Sequence, residues 1–355
     1  MTSANGSEFR IALVGCGSMA NTWVDYALQR DDAEIVALVD LNEATALTLA
    51  EKHHLGGVPI FKDVAEAIQA TGANLVFDVT IPEAHEAVTL AALQAGCNVL
   101  GEKPLAAGMD PARRMVAVAG QTGHTYAVMQ NRRYLPQIHA FRDLVRGHIG
   151  TPGFTTANFF IGAHFGGFRD AMASPLLLDM AIHTFDQARF ILGADPVSVY
   201  CQEFNPPGSW YTGAAAAACI FEFAGGQIFT YNGSWCAEGA PTSWEAEWRV
   251  MGSAGTAIWD GTHAPHAEVV TDPQQEGFLR DFRRVEAGAS FNNPGPEGHF
   301  GCLDEMFAAL SEKRPPETDC ADNIKSLSMV FGAVESARRG EKVLLGEPTQ
   351  EGVSR

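Results

Sequence analysis

The first third of the chain alternates short apolar runs with segments of helical periodicity. Strands are predicted at 9–15, 34–40, 74–80 and 98–104, where the apolar residues are too continuous for a sheet with one face in water. The segments between them show the apolar spacing of helices, and a further strand is predicted within 124–134. A strict alternation of strand and helix predicts a parallel sheet with helices on both faces.

The pattern changes after a turn at 150–153 that contains Gly and Pro. The following segments are longer, rich in aromatic and β-branched residues, and joined by turns with Gly, which is typical of antiparallel strands. Helical patterns return near the end of the chain. We therefore predict an α/β protein with two domains: a doubly wound parallel sheet over residues 1–127, and an α/β domain with a large, mostly antiparallel open sheet over residues 128–355.

Charge and cysteine content restrict the kind of partner. The chain has 42 acidic and 24 basic residues and a formal net charge of −18, which disfavours binding to nucleic acid or to an anionic membrane. Its seven cysteines are scattered, which is typical of free thiols in a reducing compartment rather than of disulfides or a zinc site. The first ten residues lack an apolar run, so we expect no signal peptide, no membrane span and a cytoplasmic location.

The turn after the first strand predicts a dinucleotide site. Gly15, Gly17 and Ala20 have the GxGxxG/A spacing, in which the first glycine permits the tight turn, the second admits a pyrophosphate, and the small third residue lets helix and strand pack. Asp40 ends the second strand and can accept hydrogen bonds from both ribose hydroxyls. No Arg or Lys follows it to meet a 2′-phosphate, so we expect NAD rather than NADP. The remaining candidate contacts of this turn are Ser18 and Met19.

Two further strand ends carry polar residues at the same edge of the predicted sheet. Thr80, Pro82 and His85 follow the strand at 74–80, and Glu102 and Lys103 end the strand that contains NVLG. Ligands bind at the carboxyl edge of such sheets. We therefore add these five residues to the predicted cofactor site, with Lys103 emerging over the cofactor crevice.

The segment LLLDMAIHTFD, residues 176–186, places polar groups in an otherwise apolar helix predicted to run to about Leu192. In a regular helix Asp179, His183 and Asp186 project within about 40–60° of one another. Burying them without partners would cost several kcal/mol, so they should face each other, a ligand or water. A satisfied core pair is the alternative. A metal site would need a third ligand that no nearby motif supplies, and we expect no metal.

Taken in order, these motifs resemble the Gfo/Idh/MocA oxidoreductases. The resemblance rests on GCGSMA, TIPEAH, EKP at 102–104 and DMAIH at 179–183. It implies a Rossmann domain followed by an α/β domain whose large open sheet commonly assembles the family into dimers or tetramers. It also implies that Lys103, Asp179 and His183 are catalytic, and that Arg132 in QNRRY contacts substrate or cofactor.

Alcohol oxidation provides a role for each of these side chains. A base must take the hydroxyl proton while hydride leaves the same carbon for the nicotinamide. Lys103 and His183 are both candidates for that base, Asp179 can orient the imidazole or bind a substrate hydroxyl, and Lys103 can stabilise the developing alkoxide. Asp186 is expected to be structural or to lie behind the site.

The expected substrate is a neutral cyclic polyol, meaning an inositol, a pyranose sugar or a glycoside. A sugar acid is the main alternative, because an arginine could pair with its carboxylate. The resemblance also leaves open an NAD-retaining glycosidase and a non-catalytic NAD-binding sensor. The candidate substrate-binding residues are Arg132, His164, Arg169 and Trp235.

Overall fold

The computed structural model describes residues 7–288 and 295–346. These residues form two compact units, each described separately below. The first unit contains the described residues up to Gln130 together with His299–Ile324, and the second contains those of Asn131–Gly298 and from Lys325 onward. The grouping thus places residues 299–324 with the first unit, whereas the boundary drawn after residue 127 from the sequence leaves them in the second.

The described part of the first unit is built on a parallel sheet. Its strands are β1 Phe9–Val14, β2 Ala33–Val39, β3 Ile60–Phe61, β4 Leu75–Asp78, β5 Asn98–Gly101 and β6 Tyr126–Val128. They lie in the order β3-β2-β1-β4-β5-β6, and every pairing is parallel. Because β1 has β2 on one side and β4 on the other, the strand order reverses at β1, which is where ligands bind in such sheets. The predicted Rossmann architecture is confirmed.

The helices between the strands of this unit have recognisable capping residues at several of their ends. They are α1 Ala20–Ala27, α2 Glu43–Lys52, α3 Val64–Thr71, α4 Pro82–Gln94 and α5 Met109–Thr122. The side chains of Asn42 and Asp63 accept backbone N–H groups at the starts of α2 and α3, and Gly72 and Gly123 end α3 and α5 in the left-handed conformation. These capping residues are adjacent in sequence to the helices, so they mark where α2, α3 and α5 begin or end.

The described part of the second unit contains a broad mixed sheet. Its strands are β7 Pro152–Phe160, β8 Pro196–Phe204, β9 Ala216–Phe223, β10 Ile228–Ser234, β11 Glu247–Gly252, β12 Gly255–Trp259, β13 His266–Val270, β14 Phe282–Glu286 and β15 Val343–Leu344. The order is β14-β13-β12-β11-β7-β10-β9-β8-β15. In the described part of this second sheet only β7 and β10 pair in parallel, so the prediction of a large, mostly antiparallel sheet is confirmed.

One face of this sheet is covered by helices. These are α6 Pro136–His148, α7 Ala181–Leu192 and α9 Cys320–Arg339, and every residue of α7 is buried. The helix predicted through 176–192 is present, but it starts with a π-turn at Leu176–Met180. That turn widens the helix at Asp179, so the regular 100° spacing assumed from the sequence does not apply there.

Helix α8, Gly298–Glu312, packs the side chain of Phe307 into the core of the first unit. The Phe307 ring lies 4.9 Å from that of Phe9 and 6.0 Å from that of Phe77, both edge to face. Tyr26 donates a hydrogen bond of 2.6 Å to Asp304. These contacts explain why α8, which lies far along the chain, belongs to the unit that contains the parallel sheet.

Candidate functional site

The turn between β1 and α1 has the geometry of a phosphate-binding loop. Gly15 has a φ of +87°, and a Cβ on it would lie 2.6 Å from the carbonyl oxygen of Val79, so only glycine fits. A Cβ on Gly17 would meet no atom within 4 Å, so the backbone there is open. Ala20, fully buried, starts α1. The tight bend, the open backbone and the helix start are what a pyrophosphate requires.

A cleft of about 490 Å³ adjoins this turn. Its walls include Gly17 and Ser18 from the turn and Thr45, Thr48 and Lys52 from α2. Ser18 and Met19, both predicted cofactor contacts, are exposed. The cleft therefore offers a nucleotide both hydroxyl groups and an accessible backbone.

Asp40 is held in place at the end of β2. Its Oδ2 accepts the N–H of Cys16 at 2.8 Å, and its Oδ1 accepts the N–H of Asn42 at 2.8 Å. Burial and the Asp40 carboxylate raise the pKa of the Cys16 thiol to about 12, so Cys16 stays neutral. A carboxylate fixed by two backbone donors keeps lone pairs for further hydroxyl donors, so the arrangement fits a ribose.

The end of β4 contains a buried acid that the sequence analysis did not single out. Asp78 is completely buried, accepts a 2.5 Å hydrogen bond from Thr80 Oγ1, and lies 3.0 Å from His85 Nδ1. His85, predicted to contact the cofactor, is itself fully buried against Asp78, while Thr80 and Pro82 are partly exposed. The signal was an acid inside an apolar strand, which requires a polar partner.

Glu102 and Lys103 lie at the end of β5. The Glu102 carboxylate is buried and accepts hydrogen bonds from Trp23 Nε1 at 2.8 Å and from the backbone N–H of Lys103 at 3.1 Å. Glu102 thus ties the turn that carries Lys103 to α1. The Lys103 side chain is partly exposed. Trp23, missed by the sequence analysis, fixes this turn.

In the second unit, Asp179 lies in the π-turn and His183 in α7. Asp179 Oδ2 accepts a hydrogen bond of 2.6 Å from Arg169 Nε. Arg169 belongs to a short 3₁₀ helix at Gly167–Ala171, so this segment reaches the Asp179 carboxylate. His183 is 8% exposed.

Asp186 has different partners from Asp179. Its carboxylate accepts Arg133 Nε at 2.6 Å and Nη2 at 2.7 Å, and Ser326 Oγ at 2.6 Å. All three residues are buried. This bidentate pair joins α7 to the 3₁₀ helix Asn131–Tyr134, which agrees with a structural role for Asp186.

Arg132, on the same 3₁₀ helix, is also paired. Its Nη1 donates to the carbonyl oxygen of Trp244 and lies 3.6 Å from Glu245 Oε1. Glu245 Oε2 in turn accepts a 2.7 Å hydrogen bond from Gln187 Nε2. The sequence carried no signal for Glu245, because it lies in a loop more than 50 residues from Gln187 and more than 100 from Arg132.

The other two predicted substrate contacts lie among aromatic side chains. His164 is exposed, stacks on Trp210 with ring centroids 3.6 Å apart, and lies 2.7 Å from Glu238 Oε1. Trp235 is buried, so its ring is not open for a sugar, whereas Trp244 is 45% exposed. Of these two tryptophans, Trp244 therefore offers the accessible surface.

The described ranges contain neither a metal-ligand cluster nor a membrane-spanning helix. No three His, Cys, Asp or Glu side chains within residues 7–288 and 295–346 come together as a metal site requires. Over those same residues, no helix has both the length and the apolar character needed to cross a bilayer.

Comparisons with known proteins agree with the fold. The family model described as the oxidoreductase family, NAD-binding Rossmann fold, matches residues 9–130, and the GFO/IDH/MocA C-terminal domain matches residues 138–258. An oxidoreductase from Agrobacterium radiobacter, solved in complex with NAD+, L-tartaric acid and magnesium, superposes with a TM-score of 0.82 at 22% identity. That alignment covers 96% of this chain and 99% of the other, so the two share a fold.

Curated relatives extend the match. The uncharacterized protein y4oX of Sinorhizobium fredii (strain NBRC 101917 / NGR234) is 30% identical over 96% of each chain. D-glucoside 3-dehydrogenase of Escherichia coli (strain K12) is 29% identical over 59% of this chain and 61% of its own. Myo-inositol 2-dehydrogenase of Thermotoga maritima is 25% identical over 95% of this chain and 99% of its own. With both domain models matched in order and one relative similar along nearly its whole length, the chain belongs to the Gfo/Idh/MocA family of NAD-binding oxidoreductases.

Proposed function

We propose that this protein is an NAD-dependent dehydrogenase that oxidises a ring secondary alcohol of a neutral cyclic polyol, namely an inositol, a pyranose sugar or a glycoside. Family membership supplies the reaction class. The relatives named for D-glucoside and myo-inositol dehydrogenation support a polyhydroxylated ring as substrate.

The cofactor side of the proposal rests on the first unit. Gly15 and Gly17 would admit the pyrophosphate, and the fixed Asp40 carboxylate would accept the ribose hydroxyls. A 2′-phosphate beside Asp40 would meet a like charge, which supports NAD over NADP. When bound, NAD supplies a nicotinamide ring that accepts the hydride.

The catalytic side assigns roles to three residues. Lys103 or His183 takes the proton of the substrate hydroxyl, and Lys103 stabilises the oxygen as negative charge develops on it. Asp179 binds a substrate hydroxyl or orients the imidazole. Its carboxylate accepts one hydrogen bond from Arg169 and keeps lone pairs for further donors.

The observation that carries the choice of a neutral substrate is charge balance. Three arginines of the second unit, Arg132, Arg133 and Arg169, are each paired with a carboxylate, from Glu245, Asp186 and Asp179 respectively. A sugar acid would have to displace one of these acids in order to pair with one of these three arginines. Hydroxyl groups need neither, because they donate to carboxylates and accept from guanidinium groups.

We also propose that the protein is a cytoplasmic homo-oligomer, a dimer or a tetramer, that assembles through the mixed sheet. Apolar side chains on the sheet face opposite the helices support this assembly. Phe154, Tyr200 and Ile220 lie on neighbouring or nearby strands and are between 41% and 50% exposed. Sedimentation of the purified protein tests the oligomeric state: we expect a dimer or a tetramer, and a monomer would contradict this proposal.

The function is tested by measuring NADH formation across inositols, aldoses, glycosides, anhydrosugars, uronic acids, acyclic alcohols and amino acids. We expect activity with neutral rings. Activity confined to acyclic alcohols or amino acids would contradict the proposal, and activity confined to uronic acids would favour the sugar-acid alternative. Cleavage of a nitrophenyl glycoside without net NADH formation would identify the NAD-retaining glycosidase, and NAD binding with no turnover would identify the sensor.

A further inference from the structure

Glu245 is held rigidly beside Arg132. Its backbone N–H donates to Ser243 Oγ at 3.0 Å, and its carbonyl oxygen accepts Trp248 Nε1 at 2.7 Å. The carboxylate lies 3.6 Å from Arg132 Nη1 and accepts Gln187 Nε2 at 2.7 Å. These bonds anchor the main chain at residue 245, and the carboxylate cannot leave the guanidinium without losing the hydrogen bond from Gln187.

Burial makes the two charges depend on each other. The Arg132 and Glu245 side chains are 13% and 17% exposed. Burial lowers the pKa of Arg132, and burial raises the pKa of Glu245. The charge of each partner opposes the pKa shift that burial causes in the other. Because the two charges are opposite, the intact pair carries no net charge.

Neutral polar atoms lie around this pair. Gln187 Oε1 and Tyr231 Oη are buried and have no hydrogen-bond partner within the described part of the chain. Gln187 donates directly to Glu245, whereas the Tyr231 ring lies among the apolar side chains of the core. Buried polar groups are normally satisfied, so Gln187 Oε1 can accept one more hydrogen bond, which a ligand hydroxyl can donate.

We propose that Glu245 is a specificity-determining residue that selects neutral ring substrates over their carboxylate analogues by neutralising Arg132. The inference rests on the proposed function, because it concerns the substrate of that same site. With Glu245 in place, a substrate carboxylate meets a guanidinium that is already compensated and an acid that repels it. Without Glu245, the buried Arg132 guanidinium has lost its counter-charge, and a substrate carboxylate can pair with it.

The test compares the binding of D-glucose and D-glucuronate to NAD-saturated protein by calorimetry, because these rings differ by one carboxylate. Glu245→Gln keeps the size of the side chain and removes its charge. We expect it to shift the ratio of the two dissociation constants at least about tenfold towards glucuronate, the effect of gaining one charge-assisted hydrogen bond. Glu247→Gln, an exposed neighbour on β11, is the matched control and should leave the ratio unchanged.

A charge-swap series keeps the test decisive if Glu245→Gln folds poorly. Arg132→Gln leaves Glu245 alone and should shift the ratio at least about tenfold away from glucuronate, the opposite sign. The double variant Arg132→Gln/Glu245→Gln removes both charges and should return the ratio to within about threefold of the wild-type value.

The outcomes separate this inference from the proposed function. If the wild type oxidises neutral rings but folded Glu245→Gln and Arg132→Gln leave the ratio unchanged, the role of Glu245 is overturned and the function stands. If neither sugar binds any of the proteins, the inference is overturned, and the proposed function falls with it only if no cyclic polyol is oxidised. Opposite shifts in the two single variants establish the role even if turnover requires a different ring.

Discussion

Two arginine–carboxylate pairs of this protein have the same geometry and opposite environments, which allows a controlled stability prediction. Arg133 binds Asp186 through two hydrogen bonds of 2.6 and 2.7 Å, and Arg338 binds Glu335 through two of 2.8 and 2.7 Å. The first pair has side chains 5% and 2% exposed, the second 70% and 39%. Replacing each acid by its amide removes one charge at nearly equal distance. The acids also differ in a neighbour, Ser326 Oγ beside Asp186 and Arg339 beside Glu335, but burial is the larger difference between the two pairs.

The expected costs differ severalfold. Asp186→Asn leaves a buried guanidinium without a counter-charge, which costs about 3–5 kcal/mol. The retained amide oxygen can still accept one hydrogen bond, so we expect the lower end of that range. Glu335→Gln breaks an exposed pair that water and salt already screen, so it should cost far less than Asp186→Asn. For a unit of this size, about 2–4 °C per kcal/mol places the melting-point drop of Asp186→Asn near 6–12 °C, and that of Glu335→Gln should lie well below it.

The assay is urea and thermal unfolding followed by circular dichroism, with both variants measured in one buffer. Adding salt should shrink the small effect of Glu335→Gln further and leave that of Asp186→Asn largely unchanged, because only the exposed pair is screened. Equal destabilisation by the two substitutions would refute the argument from burial. A third variant, Arg133→Met/Asp186→Leu, should be less destabilised than Asp186→Asn, since it leaves no charge unpaired.

Three further predictions concern the active site and pH. Lys103→Ala and His183→Ala should each lower turnover about 10²–10⁴-fold while NAD binding stays near normal, and a variant with intact turnover would remove that residue from the mechanism. Asp40→Ser should narrow the preference for NAD over NADP in cofactor titrations, and tighter binding of NADP by the wild type would show that Asp40 has been misinterpreted. Burial raises the pKa of Glu203 from 4.5 to about 7, so its contribution to stability is complete below about pH 4.5 and is lost as the pH rises through 7. Between pH 5 and 8 the wild type should therefore lose about 1–3 kcal/mol relative to Glu203→Gln in urea unfolding, and parallel pH profiles would contradict the shift.

The sequence alone determined the elements and the cofactor loop, because both depend on neighbours along the chain. Apolar continuity marks the strands around Phe9–Val14 and Leu75–Asp78 whatever packs on them. The spacing of Gly15, Gly17 and Ala20 acts within one turn and the start of one helix, where the backbone itself imposes the residue type. Features that depend only on neighbouring residues can therefore be predicted directly from the sequence.

Only the tertiary structure decided how the charges are paired. Arg132 meets Glu245, Asp186 meets Arg133 and Ser326, and His85 turns to Asp78 and away from solvent. The pairings of Arg132 and Asp186 depend on which distant segments the fold brings within about 4 Å, and a buried charge pairs with the counter-group that packing places beside it. Helical periodicity placed Asp179, His183 and Asp186 on one stripe, but the π-turn at Leu176–Met180 and two separate arginines assign the acids to different partners. Spacing along a chain fixes the direction of a side chain, whereas its partner is set by packing between elements that no local pattern encodes.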